Sequence, residues 1–346
     1  MALLWCDGFD HYGINGNLTE GAWASVSANM LSSLNPRTGI YHIRGGGGAS
    51  MRRVLGGAKT TVGSGAAFYF NNLPNLNAEC TLIDFRDATN SPQIQIVVQS
   101  TGTIAVYRGN KTTLLGTSST PVVTAESYQH VECMVFISDS VGTVEVRVNG
   151  VTAVSLSGID TAQTANIECS QIIYAAVGNA TMTIDMDDLF TYDGSGSYNN
   201  TFIGDRRVLT LFPNADTAQA DWTIVGAASG YQTIDDTTPD GDSTYIAATT
   251  SGSPGVISEF GLENLPSGIS AISGVMLVGM MRKTEAGTAN VQMSIVSGSF
   301  ESHGTDRPVT EIYTYYGDVF ETDPNTAAPF IPAAVDSLLI KVERTA

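Results

Sequence analysis

The sequence predicts an all-β protein in two domains. Three observations carry that expectation. Short runs of apolar and β-branched residues recur along the whole chain, with turn residues every 8–12 positions. Charged residues make up only 14% of the chain, whereas Gly alone supplies 36 of 346 residues. Such a chain, also rich in Ser and Thr, suits strands and turns and is poor material for helices. The third observation is the stretch VEVRVNGVTAVSL at 144–156. Val144, Val146 and Val148 alternate with Glu145 and Arg147, and Asn149-Gly150 supplies residues that tolerate the positive φ of a tight hairpin turn.

The elements follow in order. The GGGG run at 45–48 reads as a loop, because four glycines hold a strand poorly. Strands are expected at 66–73, 80–87, 93–100, 103–109, 111–118, 128–138, 142–150, 151–158, 170–177 and 180–194. Strands at this spacing indicate a sandwich or barrel. The segment DGSGSYNNTFIGD at 193–205 is turn-forming and poor in apolar residues, and reads as the boundary. Domains are accordingly expected at 1–198 and 199–346. The second block has its own strand runs, among them 206–213, 272–284, 290–299 and 309–320, with a short helix or turn at PAAVDSLL. Trp5, Trp23 and Trp222 are expected in cores, and the Arg pairs at 52–53 and 206–207 at solvated strand edges.

Charge narrows the partners. Thirty-four acidic against 16 basic residues leave a net charge of −18. Nucleic-acid binding draws on a basic surface, so no nucleic-acid partner is expected. No window approaches the ~20 apolar residues of a membrane-spanning helix, and no membrane insertion is expected. MALLWCDGFD lacks the features of a signal peptide, which points to synthesis and folding in a cytoplasm. Cys6, Cys80, Cys133 and Cys169 have no metal-ligand spacing and are expected as free thiols.

Residues 128–194 resemble the closing strands of a concanavalin-A-like or laminin-G-like jelly roll. The carrying residues are YQHVECMVFISDSVGTVEVRVNGVTAVSL and TIDMDDLFTYDG. The chain also resembles tailed-bacteriophage virion proteins, through CDGFDHYG at 6–13, DDLFTYDG at 187–194, FIGDRRV at 202–208, STYIAATTSG and VGMMRKTEAG. The resemblance implies a jelly-roll sandwich followed by a second β-sandwich-like domain. It also implies a non-enzymatic structural component of a virion, in a tail or appendage, made in the host bacterial cytoplasm. Its partners would be other virion proteins and further copies of itself.

Two other function classes stay open. A glycan-degrading enzyme needs paired carboxylates facing one cleft. Asp185 and Asp187 share a strand face, but no Glu follows in the required order, so catalysis is not expected there. None of the four histidines lies in a catalytic motif. A carbohydrate-binding module contacting host surface polysaccharide is the stronger alternative, and Tyr313 and Tyr315 in TEIYTYYGD are its candidate glycan contacts. The loop DDTTPDGDS gathers Asp235, Asp236, Asp240 and Asp242, a candidate Ca²⁺ site because that ion takes six to eight oxygens. No other cofactor is expected.

Overall fold

Among the described residues, fifteen strands build the first of two units, which takes residues 1–10, 17–19 and 23–209. The second takes residues 11–16, 20–22 and 210–346. The computed structural model describes residues 2–346 apart from 14–17, 22, 28–29, 47, 77, 178–181 and 249–254; at 175–177 and 219 it describes backbone only.

In the first unit the opening strands are β1 (Leu3–Asp7), β2 (Ser25–Val26), β3 (Leu31–Ser32), β4 (His42–Gly46) and β5 (Ser50–Lys59). The middle ones are β6 (Thr61–Phe70), β7 (Glu79–Arg86), β8 (Pro92–Gln99), β9 (Ile104–Arg108) and β10 (Thr113–Thr117). The closing ones are β11 (Tyr128–Phe136), β12 (Gly142–Val148), β13 (Val151–Ile159), β14 (Cys169–Val177) and β15 (Thr183–Asp193). They form two antiparallel sheets. The eight-stranded sheet has the order β13-β12-β11-β6-β15-β4-β3, with β1 also paired to β15. The seven-stranded sheet has the order β10-β9-β8-β7-β14-β5-β2. Consecutive pairs mix with long crossovers, as in a jelly roll.

The hairpin between β12 and β13 forms as its sequence dictates. Asn149 and Gly150 have φ of 49° and 80°, and Val144 and Val146 are fully buried. Inner faces meet through apolar side chains, among them Phe68 and Val131 on one sheet and Phe85 and Ile96 on the other, all at 2% exposure or less. One hydrogen-bonded chain crosses this core. The Tyr174 hydroxyl lies 2.7 Å from Ser64 Oγ and 3.0 Å from Thr191 Oγ1. A buried Tyr keeps its place only with such partners. Cys80, Cys133 and Cys169 are buried free thiols; burial pushes Cys80 and Cys169 up to about 12, out of the reactive range.

On its outer side the eight-stranded sheet carries two glycines that do a steric job. A Cβ on Gly63 would lie 2.2 Å from Tyr192 Cζ, and one on Gly65 would lie 2.4 Å from Phe190 Cζ. The absent side chains let both rings lie flat on β6. Strand β15 is broken in register between Asp187 and Phe190, where Asp188 takes φ of 53°. Before this bulge β15 pairs with β4; after it, with β1.

The second unit contains β16 (Pro213–Ala220), β17 (Thr223–Val225), β18 (Tyr245–Ala247), β19 (Val256–Leu262), β20 (Val275–Met281), β21 (Asn290–Ser297), β22 (Phe300–His303), β23 (Arg307–Pro308) and β24 (Thr314–Phe320). Helix α1 (Pro332–Asp336) and β25 (Leu339–Arg344) follow. Its main sheet runs β16-β19-β25-β21-β22, with β23 on β21, and β17–β18 and β20–β24 form separate pairs. Ile295, Phe320, Phe330, Val335 and Leu338 make its core. Helix α1 starts with Pro332 in its first turn, where a missing N–H costs nothing.

Two expectations need correction here. Trp222 is only half-buried, its Nε1 donating to the Val256 carbonyl. Arg206 and Arg207 lie outside any strand, and the partly exposed Arg53 places its guanidinium 3.7 Å from the Trp5 ring centre.

Candidate functional site

The outer face of the seven-stranded sheet is built by alternation. Tyr174 points inward to the other sheet, so Gln171 and Ile173 on the same strand point outward. Register carries that direction across the sheet. Ile173 pairs with Arg52 on β5 and with Asp84 on β7; Asp84 pairs with Gln95 on β8, and Gln95 with Tyr107 on β9. These five residues therefore form one row, perpendicular to the strands. Its ends, Arg52 and Tyr107, are partly exposed. Its middle, Asp84 and Gln95, is 2% and 3% exposed.

The row is hydrogen-bonded side to side. Arg86 Nε and Nη2 donate to Asp84 Oδ2 at 2.9 and 2.7 Å, and Gln95 Nε2 donates to the same oxygen at 2.9 Å. Arg52 Nη1 donates to Gln171 Oε1 at 3.1 Å. Tyr107 donates to Glu79 Oε1 at 2.6 Å, and Gln99 Nε2 donates to that atom at 2.9 Å. Lys111 Nζ lies 3.7 Å from Glu79 Oε2. Three polar atoms of the row stay buried without a hydrogen bond: Asp84 Oδ1, Gln95 Oε1 and Arg52 Nε. Buried polar atoms are normally satisfied, so orphans call for a reason. Burial raises the Asp84 carboxyl pKa against the pull of Arg86. Burial, then the bond to Glu79, push the Tyr107 hydroxyl up to about 12, which keeps it a neutral donor.

The other sheet's outer face is organised differently, and it holds the motif residues of the virion resemblance. Asp187 and Asp188, at the β15 bulge, are fully buried. Asp187 Oδ2 accepts the backbone N–H of Arg37 and Thr38 at 2.9 and 3.0 Å. Asp188 accepts Arg37 Nη1, Thr38 Oγ1 and the Val208 N–H at 2.8–3.0 Å. Arg37 Nη2 also grips both Asp205 oxygens. Glu132 Oε1 and Oε2 accept the N–H groups of Ile203 and Gly204 at 2.7 and 3.0 Å, and Arg147 sits 3.8 Å from the Phe202 ring centre. The segment 202–208 is thus strapped onto the face that carries His130, Phe190 and Tyr192. Burial, then the neighbouring Asp188, push Asp187 up to about 7. Burial, only partly offset by Asp205, brings His130 down to about 4. Asp185 and Asp187 do share an outward face, opposite Tyr69 and Ala67. Asp185, however, is held by Arg44 at 2.6 and 2.7 Å, with His42 at 3.5 Å.

The second-unit candidates come apart. Tyr313 precedes β24, so strand alternation does not set its direction relative to Tyr315. Tyr315 is 6% exposed and packs edge-on against Tyr12 at 4.9 Å and His11 at 5.7 Å. That burial removes it as a sugar platform. Tyr313 is half-buried; its hydroxyl donates to Asp242 Oδ1 at 2.7 Å, and Arg282 lies over its ring at 5.0 Å. Asp242 is also held by Arg282 at 2.7 and 2.8 Å. Asp236 and Asp240 converge instead on the Thr244 hydroxyl. Among the described residues no three acidic, His or Cys side chains gather as metal ligands would.

The row Arg52–Asp84–Gln95–Tyr107 was missed from the sequence. A local signal exists: QIQIV and IDFRD alternate polar and apolar residues, placing Gln95, Asp84 and Arg86 opposite a buried face. What unites them is cross-strand register, which no single stretch encodes.

No family of known proteins matches the sequence, and no curated protein matches it. Solved structures do show similarity. A sialidase is 14% identical over 55% of this chain, with a TM-score of 0.39, and the chain spans only 18% of its length. A protein described as cellulose induced protein, Cip1, is 15% identical over 58% of this chain and all of its own, with a TM-score of 0.40. The carbohydrate-binding module CBM66 from Bacillus subtilis is 7% identical over 50% of this chain and 96% of its own, with a TM-score of 0.34.

Proposed function

We propose that this protein binds glycans, without chemistry, through the outer face of its seven-stranded sheet. The observation that carries the reading is the in-register polar row, whose middle holds two acceptors with no partner. Sugar hydroxyls are donors and acceptors at once, and small-molecule sites place a few convergent polar groups on a preformed surface. The rigid sheet fixes those groups before a ligand arrives, which limits the ordering cost of binding. A non-catalytic role fits the paired carboxylates: Asp185 is neutralised by Arg44, and Asp187 is spent on backbone N–H groups. The test is a glycan screen with the full chain, followed by titration of the hits against Gln95→Ala and Tyr107→Phe. Binding that falls at least tenfold in Gln95→Ala, with an unchanged melting curve, supports the reading. No binding to any polysaccharide overturns it.

A second reading is assembly into a virion as a homo-oligomer alongside other virion proteins. One observation favours it: the motif residues of that resemblance, Asp187, Asp188 and the 202–208 segment, form a single strap rather than a site. Light scattering of the purified chain tests it, since a monomer at all concentrations leaves self-assembly without support.

A further inference from the structure

Resting on the glycan reading, we infer that the ligand is a neutral, extended polysaccharide bound along its interior and lying across the strands. The row sets the direction. Arg52, Ile173, Asp84, Gln95 and Tyr107 occupy five successive strands in one register line. Neighbouring strands are ~4.8 Å apart, so the line runs roughly 19 Å from β5 to β9. Beyond Tyr107 the register continues to Leu114 on the edge strand β10, which is 54% exposed. Among the described residues the register line ends there, on the edge strand. A terminal sugar needs a pocket with walls; a row with an open end fits a chain that continues past it.

The hydrogen-bonding capacity sets the class. The unmet groups are two acceptors, Asp84 Oδ1 and Gln95 Oε1, against one donor, Arg52 Nε. Hydroxyls satisfy such a set, whereas a carboxylate or sulfate brings only acceptors. The cations of the face are largely committed. Arg86 is held by Asp84 and Lys111 stands beside Glu79, which leaves Arg52, bonded to the neutral Gln171, as the one cation of the three without a carboxylate partner. Three cations against two carboxylates leave little field for an anion, within a chain of net charge −18.

The experiment measures affinity for a length series of neutral oligosaccharides, taken from the best polysaccharide hit, and for a uronate series of equal lengths. Wild type is compared with Gln95→Ala and Arg52→Ala. Affinity is expected to rise at least tenfold from monosaccharide to the oligomer that spans the row, then to level off. Both variants should flatten the rise, and uronates should bind at least tenfold more weakly. A monosaccharide that binds as tightly as the longest oligomer overturns interior binding. Tighter uronate binding overturns the neutral class. In either case the row variants still weaken binding, and the glycan reading itself stands. If no glycan binds, or if binding ignores both variants, the glycan reading falls and this inference falls with it. Arg52→Ala changes a partly exposed side chain, so it keeps the test valid should Gln95→Ala misfold.

Discussion

Replacing Arg37 by Ala tests the strap most directly. The Arg37 side chain is 8% exposed and bridges Asp188, which is fully buried, and Asp205, which is 47% exposed. The Asp205 arm is solvent-screened and contributes under about 1 kcal/mol. The Asp188 arm matters more, because removing one partner of a buried pair costs about 3–5 kcal/mol. Two partners of Asp188 survive the change, Thr38 Oγ1 and the Val208 N–H, and Arg207 stands 3.6 Å away. The loss should therefore fall near the lower end, about 3 kcal/mol at pH 7. A ceiling exists as well. The orphaned carboxylate can take a proton, at a cost of about 1.4 kcal/mol per pH unit above its unfolded pKa of ~3.9, or about 4 kcal/mol at pH 7. At pH 5 that ceiling falls to about 1.5 kcal/mol. Urea unfolding of both proteins at the two pH values gives the answer. The expected deficit is about 3 kcal/mol at pH 7 and roughly half of that at pH 5. A deficit below about 1 kcal/mol at pH 7, or one that grows on acidification, would refute the assigned burial of the pair.

Other outcomes follow from the same geometry. Gly65→Ala drives a Cβ against the Phe190 ring and should cost about 1–3 kcal/mol, read by chemical denaturation; Phe190→Leu in the same chain should recover part of it. Burial lowers the pKa of His130 to about 4, so the neutral form is the folded one, and stability present above ~6.5 is lost as pH falls toward 4. Through this group wild type should lose about 2 kcal/mol between pH 7 and 5, and His130→Phe should lose correspondingly less; equal acid losses would count against the assignment. Asp187 has the opposite sign: its raised pKa gives stability that is full below ~3.9 and lost as pH rises through about 7. Its carboxyl ¹³C resonance should titrate near 7, and a midpoint below 4.5 would contradict the burial. Ca²⁺ and EDTA should give the same melting temperature, because Asp242 is engaged by Arg282 and Tyr313; a rise of several degrees with Ca²⁺ would restore the acidic loop as a site.

Local pattern revealed the elements better than their meeting points. Val144–Leu156 could be placed because alternation and Asn149-Gly150 act within a dozen residues. PAAVDSLL was legible only as a short helix or turn: Pro332 leaves little room for one, yet it is tolerated in the first turn of α1, where its missing N–H costs no hydrogen bond. Tyr315 differs from the expected glycan contact because its ring packs against Tyr12 and His11, residues about three hundred positions away that TEIYTYYGD does not encode. Trp222 differs from the expected core residue because it stays half-buried, its indole N–H donating to the Val256 carbonyl. The polar row lay furthest from view. Each of its residues sits in an ordinary alternating run, and only the pairing of β5, β14, β7, β8 and β9 aligns them.

The mid-strand exchange of neighbours in β15 has a consequence for how the first unit is made. After the bulge, β15 binds β1, pairing Leu3 with Tyr192 and Asp7 with Leu189. During synthesis β1 must therefore wait, unpaired, until nearly all of this unit has left the ribosome. Contacts so distant in sequence close slowly, because the loop entropy is lost before the pairing is gained. Until then β1, and the edges of β4 and β6 that β15 will pair, stand open, and an open strand edge is a template for pairing with another chain. The bulge that lets one strand serve two partners thus makes the last strand the step on which clean folding depends.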